Sequence, residues 1–479
     1  MTNLVVRRSS TLATNWFWGG LLILWSLSLA LRFWGLERFN TLVFDEVYFA
    51  KFAHHYLTQT SFFDAHPPLG KYLIALGIAL KGFNPWGYRW MNAFVGSLVP
   101  LLWGAIAYQL TDRRSYTLLA TGLAGLDGLL LVESRYALLN VYILFFGLLS
   151  HWFFLFSLNQ QGWRRQWGLI ATGVSIGATI GVKWNGLGFA LALYGLWLAS
   201  KIAVRRGRVL RHSVPSFVTQ TAQISGWSMG IYLPAIAALT YILLWIPHLL
   251  QNPEYNFRQV HLQIFTYHHG LGGNTIHPYC SPWYTWPFLL RPISYFYQVT
   301  DQLTEALPLV GPPLPPLNLP LPPGVQRWVY SVYATGNPLL WGFSTLGIIW
   351  VLALAVQRSW LNFTQRQPQR TAPSSCWAAE QGWVPFYLSI GYAANYLPWV
   401  GVSRCTFLYH YMPASMFSGL ALAWLVDYGL QAPRKGLRAM AVTVVFVSGL
   451  SLLIWLPVLL GLPIPIHRWS WLQGLPSWR

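Results

Sequence analysis

Continuous apolar runs recur from one end of the chain to the other, separated by more polar stretches. A helix of about 20 apolar residues crosses the hydrocarbon core of a bilayer, so each long run predicts a membrane-spanning helix. The runs do not alternate apolar and polar residues, as the strands of a membrane barrel would. The pattern predicts an all-α polytopic membrane protein with about eleven transmembrane helices and two long outer loops. The predicted helices cover roughly 16–34, 88–110, 116–133, 140–158, 167–183, 186–200, 228–250, 336–356, 383–401, 406–428 and 439–460.

Two segments between the predicted helices are too long to be simple connections. The first long loop, 35–87, contains two amphipathic stretches, 49–56 and 69–81, which predict short helices lying on the membrane. The second long loop, 251–335, is rich in His and Trp and ends in a segment with 8 prolines among 18 residues, 307–324, where a stiff extended conformation is expected. The predicted domains are an N-terminal transmembrane module, the second long loop and a C-terminal transmembrane module, at 1–250, 251–335 and 336–479.

The composition supports a membrane protein and gives it an orientation. Hydrophobic residues make up 54% of the chain and charged residues only 9%, with a net charge of +19. That charge does not indicate nucleic-acid binding, because the basic residues fall mostly in short segments between apolar runs. With the N-terminus inside, the inner segments hold 17 of the 31 Lys and Arg residues but only 3 of the 12 acids. The positive-inside rule therefore predicts a cytoplasmic N-terminus and places both long loops outside, on the outer face of a plasma membrane.

Two further sequence features limit the function classes. The first apolar run is predicted to be a retained helix rather than a signal peptide, since it is long and no small-residue cleavage site follows it. Cys280, Cys376 and Cys405 match neither a disulfide framework nor a metal-binding spacing. No motif demands a metal, so none is expected.

Asp45 and Glu46 are adjacent carboxylates directly after the first predicted span. Ionisable groups at a membrane edge cost free energy unless they are paired or hydrated, which makes them functional candidates. Adjacent side chains point in different directions, so we expect one carboxylate to act on substrate as a general base while the other pairs with an arginine. A solvated loop pair or a helix N-cap is the alternative interpretation.

Several basic residues lie at the predicted outer ends of apolar helices, away from the cytoplasmic positive cluster. A guanidinium bonds two phosphate oxygens at once, so converging cations predict a site that binds a lipid phosphate and stabilises it as a leaving group. For any single residue, snorkelling of the side chain to the lipid headgroups is the alternative. These residues are Arg32, Arg89, Arg135, Lys183 and Arg404.

The second long loop is rich in histidine and aromatic residues. Its histidines, at irregular spacings, do not match the patterns that bind zinc. Its aromatic cluster is typical of an interfacial belt, although such rings also stack on the apolar faces of sugars. The residues concerned are His261, His268, His269, His277, Trp283 and Trp286.

Short motifs follow one another in order along nearly the whole chain. They are RF at 32–33, VFDEVYFAKFA at 43–53, FDAHPPLGK at 63–71, GYR at 87–89, SRYALL at 134–139, GVKWNGL at 181–187, HPYCSPWYTWP at 277–287, YATGNP at 333–338 and RCTFLYHY at 404–411. In this set and order the chain resembles the protein O-mannosyltransferase family, in its bacterial type without the β-trefoil insertion. The resemblance implies a C-type glycosyltransferase fold and transfer of mannose from a polyprenyl-phosphate carrier to Ser or Thr hydroxyls of exported proteins.

The resemblance also implies roles for individual residues. Asp45 would be the general base, Glu46 a supporting acid, and Arg89 a residue near the donor phosphate. Where the family commonly has Leu-Leu-Asp, this chain has Leu-Leu-Asn ending at Asn140, so an acidic role is lost there. The remaining candidates are Arg135, Lys183 and Arg404 as further phosphate ligands, and Arg32, His66, Lys71, His277, Trp283 and Trp286 as supporting residues.

The predicted reaction is a single displacement with inversion at the sugar. The lipid-linked sugar is a co-substrate and no cofactor is expected; the other partners are exported proteins and membrane lipids. One alternative is a glycosyltransferase that uses the same donor class to modify a lipid or a glycan. Another is a lipid flippase or transporter, for which internal repeats and charges midway through broken helices are expected. The chain shows no repeat, and its charges cluster at the outer edge.

Overall fold

The computed structural model describes residues 11–210, 216–273, 277–300, 327–364, 383–473 and 478. Each of the eleven predicted helices coincides with a helix or with two consecutive helical segments, so the predicted helical architecture is confirmed. The helices up to the second long loop are α1 (Thr11–Phe33), α2 (Glu46–Leu57), α3 (Leu69–Lys81), α4 (Pro85–Thr111), α5 (Arg114–Gly125), α6 (Gly128–Glu133), α7 (Asn140–Leu158), α8 (Gly162–Val182), α9 (Leu187–Leu210), α10 (Ser216–Ala222) and α11 (Leu233–Gln251). Those that follow are α12 (Phe257–Gly270), α13 (Pro338–Thr364), α14 (Val384–Tyr396), α15 (Met412–Gln431), α16 (Lys435–Leu460) and α17 (Ile466–Leu472).

Seven helical stretches in the described part of the chain are long and apolar enough to cross a membrane. They are Asn15–Phe33, Pro85–Thr111, Asn140–Leu158, Trp184–Gly207, Ser228–Gln251, Pro338–Arg358 and Lys435–Leu460. The predicted helix at 116–133 is instead divided into α5 and α6. Asp127 causes the break, because its carboxylate caps α6 by accepting from Leu130 N at 2.9 Å and also accepts from Trp341 Nε1 at 2.8 Å.

The centre of the bundle is formed by α4, α7 and α15. Of the apolar stretches, 61% of α4 and 67% of α7 are buried, against 11% of α1, so α1 lies at the periphery. Helix α7 packs against α4 and α8, while α15 packs against α13, α14 and α5. A peripheral helix with exposed apolar side chains fits a lipid environment, where such exposure carries no hydrophobic penalty.

The first long loop contains the two predicted short helices, α2 and α3, so that prediction is confirmed. Helix α3 approaches α4 so closely at Gly77 that any side chain there would overlap the carbonyl oxygen of Gly87. Arg89, in the second turn of α4, contacts Glu46 at the start of α2.

A three-stranded antiparallel sheet is the one element class that the all-α prediction omitted. β1 (Ile293–Thr300) pairs with β2 (Trp328–Ala334), whose first residues pair with β3 (Pro463–Pro465). β1 and β2 are rich in aromatic and β-branched residues, which is typical of strands. The connection between them, with the Pro-rich segment, lies outside the described residues.

Candidate active site

A buried ion pair between Glu46 and Arg89 fixes the start of the first long loop. Glu46 opens α2 and is fully buried, and its carboxylate accepts from Arg89 Nε at 2.9 Å and Nη2 at 2.7 Å. The backbone N–H groups of Val43 and Ala137 donate to the same carboxylate at 2.9 and 2.8 Å. With four donors around it, Glu46 is a saturated acceptor and acts as a support for the loop rather than as a base.

The guanidinium of Arg89 has no N–H group to spare for a phosphate. Besides Glu46, it donates from Nη1 to the carbonyls of Leu36 and Phe39 at 2.8 and 2.9 Å, and from Nη2 to that of Thr41 at 3.0 Å. A guanidinium carries five N–H donors. The three bonds to carbonyls and the two bonds to Glu46 together use all five. The predicted contact with the donor phosphate is therefore corrected: Arg89 holds the loop backbone in place.

Arg135 and Arg32 also serve the fold. Arg135 donates to four carbonyls at residues 31–35, with distances between 2.7 and 3.3 Å, and so caps the C-terminal end of α1. Arg32 turns inward and donates from Nε to Ser134 Oγ at 2.9 Å. Neither side chain lines the cleft described below, so the role in phosphate binding predicted for Arg135 is corrected. Arg32 couples α1 to the segment that follows α6.

Asp45, unlike Glu46, has the features expected of a general base. Its side chain is half-buried, and among the described residues its carboxylate accepts no hydrogen bond. Burial raises the pKa of Asp45 to about 6; Lys183 opposes this shift and Asp64 adds to it. The preceding residue, Phe44, has a φ of 52°, a conformation that costs a non-glycine residue about 1–2 kcal/mol. Strain at this point suits a site whose geometry is imposed by its surroundings.

A chain of buried polar groups, which the sequence analysis did not single out, leads to Lys183. The hydroxyl of Tyr295 donates to Oε1 of Glu133, and Asn140 Nδ2 donates to Oε2 of Glu133 at 3.0 Å. Lys183 Nζ donates to Asn140 Oδ1 at 3.2 Å, and its charge acts on both Asp45 and Glu133. An acid at the end of an apolar run is the signal by which Glu133 could have been found.

Lys183 and Arg404 meet in a cleft of about 410 Å³. The walls also carry four imidazoles and the indoles of Trp184 and Trp399, and none of the described lining residues is acidic. Such a cationic, partly aromatic cleft has the size and charge to hold a sugar linked to a phosphate. No group of three or more His, Cys, Asp or Glu side chains that could hold a metal ion occurs among the described residues. The four imidazoles belong to His66, His268, His269 and His410.

The loop that carries Arg404 is joined to the second long loop by a disulfide. Cys280 and Cys405 are bonded, with Cα atoms 5.2 Å apart and a separation of 125 positions in sequence. Ser281 N donates to the carbonyl of Thr406 at 2.7 Å beside this bond. The prediction that the cysteines form no disulfide framework is wrong for this pair, because spacing in the sequence does not reveal a single long-range bond.

His66 lies in the cleft wall, and Lys71 lies behind it. Lys71 is buried, forms an ion pair with Asp64 and donates to the carbonyl of His66 at 2.7 Å. Burial lowers the pKa of Lys71, against the influence of Asp64. Burial, with the charge of Lys183, holds the pKa of His66 well below its usual range, so this ring is neutral. The supporting role of both residues stays a prediction.

His277, Trp283 and Trp286 do not line the cleft. His277 Nδ1 accepts from the backbone of Tyr279 at 3.2 Å, and the ring of Trp283 packs 5.3 Å from that of Tyr396. Trp286 is buried, with its centroid 5.5 Å from that of the cleft residue Trp399. Trp286 thus packs against the cleft wall, whereas the ring contacts of His277 and Trp283 are with residues outside the lining.

Two family models together match residues 22–478 of the chain. A model of the dolichyl-phosphate-mannose-protein mannosyltransferase family matches residues 22–87 and 81–265. A model of the C-terminal four TMM region of protein-O-mannosyltransferase matches residues 254–478.

Among curated proteins, the chain is 24% identical over 524 aligned residues to a polyprenol-phosphate-mannose--protein mannosyltransferase of Mycobacterium tuberculosis. That alignment covers 97% of this chain and 92% of the relative. A protein of the same description from Corynebacterium glutamicum is 26% identical, over 86% of this chain and 81% of its own length.

Solved structures share the fold. The Saccharomyces cerevisiae protein O-mannosyltransferase Pmt1–Pmt2 complex bound to the sugar donor superposes with a TM-score of 0.76 at 16% identity, over 97% of this chain and 93% of that one. ArnT from Cupriavidus metallidurans, bound to undecaprenyl phosphate, gives a TM-score of 0.50 at 16% identity, over 94% of this chain and 66% of that one.

Proposed function

The chain belongs to the dolichyl-phosphate-mannose-protein mannosyltransferase family, and from this premise we propose that it transfers mannose from a polyprenyl-phosphate-mannose donor to Ser or Thr hydroxyls of exported proteins. The chain is a multi-span membrane glycosyltransferase with the C-type fold. One observation carries the proposed chemistry: a carboxylate without a hydrogen-bond partner among the described residues, Asp45, is coupled through Lys183 to a cationic cleft.

The donor phosphate is assigned to the cleft. Lys183 and Arg404 supply its two formal positive charges, and no acidic side chain competes with the phosphate among the described lining residues. These cations stabilise the negative charge that develops on the departing lipid phosphate. A lipid monophosphate is neutralised by two such groups without a further cation. Two of the cations predicted for this role are thus retained, while Arg89 and Arg135 are committed to backbone carbonyls.

Asp45 is assigned the general base. Its carboxylate takes the proton of the Ser or Thr hydroxyl as the hydroxyl oxygen attacks the anomeric carbon of the mannose. The bond between that carbon and the phosphate oxygen breaks, and the lipid phosphate leaves with the electron pair. A single attack from the opposite face inverts the anomeric centre, so a β-linked donor gives an α-linked product. A raised pKa suits this role, because a base is most effective when its pKa lies near the working pH.

The site is assigned to the outer face of a prokaryotic plasma membrane, with the N-terminus in the cytoplasm. The disulfide between Cys280 and Cys405 supports this side, since structural disulfides persist in oxidising compartments. The excess of Lys and Arg in the opposite segments supports the same orientation. On this face a chain leaving the translocon presents its hydroxyls to Asp45.

The test is transfer of labelled mannose by the purified protein. Polyprenyl-phosphate mannose is supplied with a Ser/Thr-containing peptide, with the same peptide in which every Ser and Thr is Ala, and with a lipid acceptor. We expect label on the first peptide alone, with inverted anomeric configuration. Label on the lipid acceptor alone would identify a lipid-modifying enzyme instead.

A further inference from the structure

Three consecutive hydrogen bonds lead from the β-sheet to the cleft through buried polar groups. They run from the Tyr295 hydroxyl to Glu133, from Asn140 to Glu133, and from Lys183 to Asn140. Glu133 is fully buried, and Lys183, only 6% exposed, contributes to the cleft wall. A buried carboxylate is costly unless donors and an opposite charge offset its desolvation. Glu133 has two such donors and the ammonium of Lys183 nearby.

The order of donors and acceptors in this chain allows one arrangement. A carboxylate accepts only, so Asn140 turns its amide NH2 group toward Glu133. The amide oxygen of Asn140 then faces Lys183, whose ammonium donates only. Both ends of the amide are thus fixed by their neighbours, and the position of the ammonium follows from that of Glu133.

The charges explain why such an anchor is needed. Lys183 acts on Asp45 as well as on Glu133. Asp64 is a weaker negative neighbour of Lys183, and Arg404 is a positive one. Without Glu133, Asp45 would be the strongest negative charge acting on the ammonium, which would be drawn onto the carboxylate that has to remain free for the acceptor hydroxyl. A second carboxylate, acting through Asn140, balances this attraction and keeps the ammonium available at the cleft.

We propose that Glu133 is a positioning residue for the transfer reaction, which holds the Lys183 ammonium through Asn140 between Asp45 and the cleft. This inference rests on the proposed function, since it assigns Lys183 to the donor phosphate. It also accounts for Asn140: the acidic role that the sequence lacks at this position is filled one hydrogen bond away, by Glu133.

The arrangement makes a specific prediction about moving the negative charge. In the double variant Glu133→Gln/Asn140→Asp, the new amide NH2 donates to the new carboxylate, which accepts from Lys183, while Tyr295 donates to the new amide oxygen. The number of hydrogen bonds and the net charge are unchanged. In Glu133→Gln alone, the amide oxygen can accept from Asn140 while the amide NH2 donates to the Tyr295 hydroxyl, so the hydrogen bonds can persist but the negative charge that balances Asp45 is lost. In Asn140→Asp alone, two carboxylates face each other.

The experiment measures kcat, KM for the donor and the pH profile of mannose transfer for the full-length protein, both single variants and the double variant. Each single variant should lower kcat about tenfold to a hundredfold, the effect of a misplaced catalytic group. The double variant should recover most of that loss. Glu133→Gln should also move the acidic limb of kcat/KM to lower pH, because Asp45 gains a larger share of Lys183, and the double variant should restore it. Glu254→Gln, the same change at an exposed residue, is the matched control and should behave as wild type.

Two results would overturn the proposal: wild-type kcat in Glu133→Gln, or a double variant no more active than Asn140→Asp. The second comparison decides the matter even where Glu133→Gln fails to fold. If the role of Glu133 were purely structural, Glu133→Gln would change the melting temperature without moving the acidic limb of kcat/KM. Absence of mannose transfer by the wild-type protein would instead refute the proposed function, which separates the two failures.

Discussion

Replacing Arg89 by Met tests whether this arginine holds the fold or binds the donor. The substitution keeps an apolar stem but removes the partner of the fully buried Glu46 and leaves the carbonyls of Leu36, Phe39 and Thr41 without their donor. Breaking a buried pair by removing one partner costs about 3–5 kcal/mol, because a buried charge is left uncompensated. For a chain of 479 residues, whose unfolding entropy is about 1 kcal/mol/K, we expect a fall in melting temperature of roughly 3–5 °C.

The assay is thermal unfolding of the purified protein in detergent, with donor affinity measured on the folded fraction. Arg258→Met, the same change at an exposed arginine, is the matched control and should melt as wild type does. The double variant Glu46→Met/Arg89→Met should be more stable than Arg89→Met, since no lone buried charge remains. The folded fraction of Arg89→Met should still bind donor.

The reasoning fails if Arg89→Met melts at the wild-type temperature and yet loses its affinity for the donor. That outcome would support the role in binding the donor phosphate that the sequence predicts for Arg89.

Three further predictions concern the pH profile, the disulfide and the orientation. Burial raises the pKa of Asp45 to about 6 and the base acts when deprotonated, so kcat/KM should fall as the pH drops below that value; a constant rate down to about pH 5 contradicts this. Cys280→Ser should raise KM for the donor, because loss of the disulfide loosens the loop that carries Arg404, and the control Cys376→Ser should not. Equal KM values in the two variants would contradict a role of the disulfide in holding that loop. Thr58→Cys should react with a membrane-impermeant thiol reagent in intact cells and Gly207→Cys should not; the reverse pattern would place Asp45 inside.

The helices could be predicted from the sequence because the length of an apolar run alone decides whether it spans a bilayer. Their interruptions could not. The break between α5 and α6 depends on Asp127, whose carboxylate caps a helix and contacts Trp341, more than 200 residues away in the chain. The sheet was missed for a similar reason, since its aromatic strands also suit a membrane interface.

The candidate site divides in the same way. Asp45 and Glu46 stand out locally, and the expected division between a free and a paired carboxylate agrees with the geometry. The arginines do not reveal their roles, because a guanidinium at a helix end bonds loop carbonyls as readily as phosphate oxygens. Glu133 and the disulfide acquire their meaning from partners far away in sequence, which no local pattern specifies.

The most direct test of the central claim is mannose transfer by Asp45→Asn, measured together with donor binding. The amide keeps the shape of the side chain but cannot take the proton, so we expect kcat to fall by about two to four orders of magnitude. Donor affinity should remain close to that of the wild type, since Lys183 and Arg404 are untouched. Transfer within a few-fold of the wild-type rate would contradict the assignment of Asp45 as the base.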